Sequence, residues 1–223
     1  MQMDGSIKKI LSKYPFLEYN KDNKSFFGYI YLDEDDKYNL LIDISNFPNN
    51  FPKVIELDER IPRKADRHIN KDNSLCFTTP INEEILLKTK ISNLELFFQH
   101  ILIPFLANNS FFEINDKYKF GEYSHIPIIS LYETYRDILN IDSFVLIANV
   151  LKNVASGKKF RPNELCYCGS GKKIKKCNNH EQGYREIKKL SSERLFLDSK
   201  KILELRKELL NYHKKGKAPN RVE

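Results

Sequence analysis

No apolar run in this 223-residue chain approaches the roughly 20 residues that span a bilayer. The best, Leu94 to Leu106, is about a dozen residues long and carries Glu95, Gln99 and His100. No membrane partner is expected. The N-terminal M-Q-M-D-G-S-I-K-K-I-L lacks an apolar core followed by a small-residue cleavage site, which argues against export. Cysteine is scarce. Of the 4 residues, three crowd between Cys166 and Cys177 and one stands alone at Cys76, which leaves no natural disulfide pair. A reducing, cytoplasmic address is the expectation. No internal repeat is evident.

What is present suffices for a core. Hydrophobic residues make up 41% of the chain, with 15 Phe and 12 Tyr, and disorder is not the default reading. Charge is divided unevenly. Residues 151–223 hold 20 Lys and Arg against 8 Asp and Glu, while residues 1–150 hold 17 against 22, so the two parts carry +12 and −5. This shift suggests a boundary near Gly157-Lys158-Lys159 and a basic end able to contact nucleic acid, acidic protein or phosphate.

Periodicity gives an α+β pattern. Ile7, Ile10, Leu11 and Tyr14 recur at helical spacing until Pro15. Ser25 to Leu32, Tyr38 to Ser45 and Lys53 to Leu57 alternate as short strands separated by D-E-D-D and F-P-N-N-F-P, an antiparallel meander. A polar passage from Ile61 to Asn73 leads into Ser74-Leu75-Cys76-Phe77-Thr78. Ser92 and Glu95 then form a capping box, with an Ile91–Leu96 staple, ahead of a long apolar helix that Pro104 kinks or ends. His100 reads as a core residue of that helix. Further helices are expected around Ser130 to Leu139 and Ser143 to Val154. Leu195, Ile202, Leu205, Leu209 and Tyr212 make a final stripe, with His213 exposed and K-K-G-K-A-P-N-R as a frayed tail.

Cys166 to His180, C-Y-C-G-S-G-K-K-I-K-K-C-N-N-H, has the makings of a Zn2+ site. Thiolates are soft ligands, Gly169 and Gly171 let the chain turn after Cys166 and Cys168, and Cys177 returns as a third ligand. A tetrahedral site needs a fourth, and His180 is the nearest candidate. The run Asn163 to Cys177 resembles the SEC-C motif, a small zinc module also found at the end of the bacterial secretion ATPase. That family places its fourth ligand, Cys or His, directly after the third, where this chain has Asn178. His180 is therefore an inference from ligand chemistry. Lys172, Lys173, Lys175 and Lys176 belong to the motif itself, which makes them weak evidence for a nucleic-acid partner.

Cys76 is then the one thiol left for chemistry. Leu75 and Phe77 point to one face of an extended segment, which puts Cys76 with Ser74 and Thr78 on an accessible polar face. The order helix, meander, proline-marked turn, polar loop with His and Asn, cysteine and long helix resembles the ubiquitin-conjugating enzyme (UBC) fold over about residues 5–140. Asp72-Asn73-Ser74-Leu75-Cys76-Phe77 is similar to the family's approach to its active-site cysteine. Ile44 to Pro48 and Phe51-Pro52 resemble its proline-bounded turn. Counting back from Cys76, His68 takes the position of the family's loop asparagine, and Asp66 and Arg67 replace its His-Pro. Asn70 follows two residues later. R-H-I-N-x-x-x-L-C and Gly121-Glu122-Tyr123-Ser124-His125 look more like the bacterial relatives, many of which are associated with antiphage defence.

The resemblance implies a carrier thioester on Cys76 and transfer of the acyl group to an amine. His68 or Asn70 would stabilise the oxyanion, and His125 or Glu122 would handle the incoming amine. It also implies an ATP-dependent activating enzyme and a ubiquitin-like or other protein donor as partners. The expected organisation is a UBC-like catalytic domain over residues 1–157, a zinc module over 158–182 that recruits an unidentified partner, and a basic helical extension over 183–223. The rival expectations are a catalytically idle binding module and a zinc-anchored adaptor for protein or nucleic-acid machinery.

Overall fold

A computed structural model describes residues 2–119, 123–177 and 179–214, apart from the side chains of residues 2–4 and 213–214. Gly121, Glu122, Asn178, the His213 side chain and the basic tail lie outside these residues. The chain divides into two compact units, Met1–Glu122 and Tyr123–Glu223.

In the first unit, α1 (Gln2–Lys13) leads into a four-stranded antiparallel sheet of β1 (Leu17–Asn20), β2 (Ser25–Tyr31), β3 (Lys37–Asp43) and β4 (Lys53–Glu56), in sequential order. β1 has no counterpart in the three-strand expectation. It is four residues long, too short for period-two alternation to register, and it exists by pairing Leu17–Asn20 with Ser25–Gly28. Phe26, Ile30, Tyr38, Leu40, Ile42 and Val54 alternate onto one buried face. Ile7 and Ile10 of α1 join that core, as do Leu94, Phe97, Phe98, Leu102 and Leu106 of the long helix.

That long helix is assembled from α3 (Leu94–Phe97), a π-turn over Phe98–Leu102, and α4 (Ile103–Asn115). Its cap is Asn93, whose side chain accepts the Leu96 N–H at 2.9 Å, rather than Ser92. Pro104 neither stops nor breaks the rod. It has no N–H to donate, and it sits in the first turn of α4 just after the wider turn, where the loss is absorbed. Between Cys76 and this rod lies α2 (Pro80–Thr89), which the strand-like reading of the neighbourhood passed over. Thr79 caps it and Pro80 occupies its first turn, a strong start signal.

The second unit is helical: α5 (Pro127–Leu139), α6 (Phe144–Ala155), α7 (His180–Ile187) and α8 (Ser192–Lys214). The apolar face of α6, Ile147, Ala148, Val150, Leu151 and Val154, packs along α8, and α5 packs against both α7 and α8. Packing thus divides the chain at 122/123, upstream of Gly157 where charge balance changes. The basic segment and the apolar α5 and α6 belong to one core. Leu195, Ile202 and Leu205 are buried as the stripe predicts, whereas Tyr212 is exposed. Among the described residues no single helix is long and apolar enough to cross a membrane.

One buried charge sits in this helical core. The Asp198 side chain is 2% exposed, and its Oδ2 accepts the Tyr135 hydroxyl at 2.9 Å and Arg194 Nε at 3.0 Å. Tyr135→Phe would remove one donor from a carboxylate that cannot reach water. A stability loss of about 1–3 kcal/mol is expected, read as a lower urea midpoint with unchanged m-value.

Candidate metal centre and the Cys76 loop

The segment ahead of α7 is a tight hairpin. Leu165 and Lys173 bridge its arms, and the Cys166 N–H donates to the Lys172 carbonyl at 2.8 Å. Gly169 and Gly171 turn between them at φ 78° and 73°, a region that L side chains adopt at a cost. A 3-10 turn over Ile174–Lys176 delivers Cys177, whose carbonyl accepts the His180 N–H at 2.8 Å where α7 begins.

The result brings Cys166, Cys168, Cys177 and His180 together, with their ligand atoms all within 4.8 Å of one another. A tetrahedral zinc ion, with Zn–S of about 2.3 Å and Zn–N of about 2.0 Å, requires ligand separations of roughly 3.5–3.8 Å. Cys168 Sγ and Cys177 Sγ are 3.6 Å apart, and Cys166 Sγ lies 3.0 Å from His180 Nδ1. These four residues could bind a metal ion. The imidazole is held for the purpose. His180 Nε2 lies 3.2 Å from the Asn140 carbonyl oxygen, which can only accept, so Nε2 carries the proton and Nδ1 faces the thiols with a lone pair. The Tyr167 hydroxyl donates to the His180 carbonyl at 2.7 Å, and its ring stacks on the imidazole.

The thiols differ in their readiness to ionise. Burial pushes Cys166 up to about 12. Burial also opposes ionisation of Cys168, but hydrogen bonds from the Ser170 hydroxyl and amide, and from the neighbouring thiols, bring it down to about 6. A dication held by this cluster would favour the thiolate form of its cysteine ligands.

Gly183 connects this cluster to α5. A Cβ there would meet the Ile138 carbonyl oxygen at 2.2 Å, so α7 can lie this close to the end of α5 only with glycine at that position. Asn140, whose carbonyl oxygen faces His180 Nε2, is two residues beyond Ile138. Gly183→Ala is expected to push α7 outward, costing about 1–3 kcal/mol of stability. With the imidazole no longer oriented, metal affinity should fall roughly 10- to 100-fold in a chelator competition.

Cys76 lies in the first unit, beyond the edge of β4. Leu75 donates to the Val54 carbonyl at 2.8 Å, and Cys76 donates its N–H to the His68 carbonyl at 2.7 Å. Phe77 anchors the segment among Phe97 and Phe105, with ring centroids 5.4 and 5.1 Å away. The strict alternation expected here breaks at Ser74. That residue is buried, donating its hydroxyl to Asp72 Oδ1 at 2.6 Å, while Cys76 is half-buried with Sγ 3.9 Å from the Thr78 carbonyl oxygen. Burial first, then the charge of Glu83, pushes the Cys76 thiol above its ordinary value. Glu83 had no signal in the sequence. It lies in the first turn of α2, where its Oε1 accepts the Phe51 N–H at 2.8 Å and ties α2 to the F-P-N-N-F-P loop.

The companion residues fall in different places. His68 is half-buried in a left-handed conformation, φ 56°, with its ring against Tyr118 and Phe105. Arg67 fixes that loop, its guanidinium lying 3.9 Å from the Phe112 ring centroid and donating to Tyr118 and Asn109. Asn70 is exposed and its side-chain amide donates to Ser74 Oγ at 3.1 Å, so it braces the turn. His125 is exposed in the second unit, just ahead of α5. His100 is also exposed, contrary to its reading as a core residue, because the π-turn rotates it off the buried face. Comparison of the chain with protein-family models, curated proteins and solved structures returned no match.

Proposed function

We propose that the protein is a ubiquitin-conjugating-enzyme-like acyl carrier with Cys76 as its nucleophile and a structural zinc held by Cys166, Cys168, Cys177 and His180. The observation that carries this reading is the setting of Cys76. It is a half-buried thiol on a loop braced by the His68 carbonyl, between the last strand of a four-stranded meander and α2, while the other three thiols converge with His180. The Cys76 thiolate would attack the carbonyl carbon of a donor thioester, forming a new C–S bond as the donor's thiolate leaves. An amine would then attack the same carbon, forming C–N, breaking C–S and losing its proton to base. Activation of the donor requires a separate ATP-dependent enzyme. A bacterial, cytoplasmic setting in antiphage defence accords with the resemblance of the Cys76 approach.

The test is an incubation with ATP and the products of neighbouring genes, looking for a protein adduct cleaved by reducing agent. The expected result is an adduct that disappears in Cys76→Ala and persists in Cys166→Ala. No adduct with a competent activating enzyme would defeat the reading. A second reading, an idle binding module on the same scaffold, is favoured by two observations: the raised Cys76 thiol and an Asn70 amide already engaged by Ser74. It predicts unchanged partner binding in Cys76→Ala.

A further inference from the structure

Between the 3-10 turn Ile174–Lys176 and the start of α7 lies a concave groove of about 500 Å³. The turn contributes Lys175 and Lys176, both exposed, and α7 with its cap contributes Asn179, Gln182 and Arg185. One carboxylate, Glu181, also lines it and is ion-paired to Arg185. The surrounding segment is strongly cationic, since residues 158–189 hold ten Lys and Arg against three Asp and Glu. A zinc ion with three thiolates and a neutral imidazole would carry about −1 net charge, too little to neutralise that excess.

The lining indicates what kind of anion fits. Among the described residues no aromatic side chain lines the groove, so these offer no platform for base stacking, and the aliphatic Ile174 is buried. Ammonium groups and side-chain amides are donors suited to phosphate oxygens. An acidic peptide would gain little apolar contact here, whereas a strand of phosphates can continue past the groove onto the neighbouring lysines.

We propose that this groove binds the phosphate backbone of a nucleic acid without reading sequence, independently of any chemistry at Cys76. The test uses the full-length, metal-loaded protein and a fluorescein-labelled 16-nucleotide oligouridylate, with anisotropy followed against NaCl. With about three phosphates engaged, the slope of log K against log salt should be about −2. Lys175→Ala with Lys176→Ala should make it shallower by about 1.4 and weaken binding severalfold. Unchanged metal content would show that the cluster remains intact, since both side chains are exposed. The matched pair Lys200→Ala with Lys207→Ala on α8 should change the slope by less than half as much. Equal losses in the two pairs, or salt-independent binding, would overturn the site. Comparable binding of a 16-residue polyglutamate through the same lysines would overturn the choice of nucleic acid in favour of an acidic protein.

Discussion

Cys76→Ala is expected to abolish acyl loading completely, and Cys76→Ser to change the bond rather than the site. Offered a peptide with a C-terminal Gly-Gly thioester of 2-mercaptoethanesulfonate, the native chain should form an adduct that reducing agent cleaves. The serine variant should form, more slowly, an ester that reducing agent leaves intact. The alanine variant should form none. The pH dependence follows from the thiol's surroundings. A raised pKa means less thiolate at neutral pH than an ordinary cysteine has, so alkylation of Cys76 by iodoacetamide should keep rising with pH beyond the usual range of about 8.5. Glu83→Gln removes a negative charge while keeping an oxygen to accept the Phe51 N–H. It should lower the thiol pKa and speed alkylation at pH 8. Unchanged rates in that variant would show that burial alone sets the thiol. A thiol of high pKa is also a poor leaving group, which would protect a loaded thioester until an acceptor is positioned.

How far such a site can be read from sequence depends on how local its causes are. The cluster was legible because spacing and turn chemistry are local. Two cysteines separated by one residue, left-handed glycines after them and a third cysteine on a short turn bring the sulfurs together through local geometry. His180 followed from ligand chemistry, and its ring meets Asn140, 40 residues away, a contact for which the sequence carries no signal. The same contrast holds in the first unit. β2, β3 and β4 alternate and were legible, whereas β1 depends on its partner strand. α2 announces itself with Thr79 and Pro80, but its weak apolar periodicity hid it. The division at 122/123 reflects helix packing, and charge counting cannot see packing.

Charge and packing meet at the cluster, which is where the chain is most exposed to a single change. If the cluster holds zinc as proposed, Cys177→Ser is expected to remove it, because a hydroxyl replaces a thiol 3.6 Å from Cys168 and within 4.8 Å of every other ligand atom. Structural zinc sites of this kind bind with apparent free energies of about 10–16 kcal/mol, and that energy appears as folding energy of the module. Apart from its backbone bonds and Tyr167, packed on His180 and Phe160, the hairpin has a small apolar contact area. Leu165 is 71% exposed, the segment 161–165 is exposed throughout, and Ile174 is its one fully buried aliphatic side chain. Chelation should therefore release the hairpin and the start of α7, read as rapid amide exchange over residues 163–183. The sheet of the first unit has its own core and should stay protected. His180→Ala should give a graded result, with three thiolates retaining zinc more weakly and a water taking the fourth position. Zinc stoichiometry and affinity unchanged in His180→Ala would remove that residue from the ligand set. Full protection of the hairpin after chelation would show that the protein fold, not the metal, holds these cysteines together.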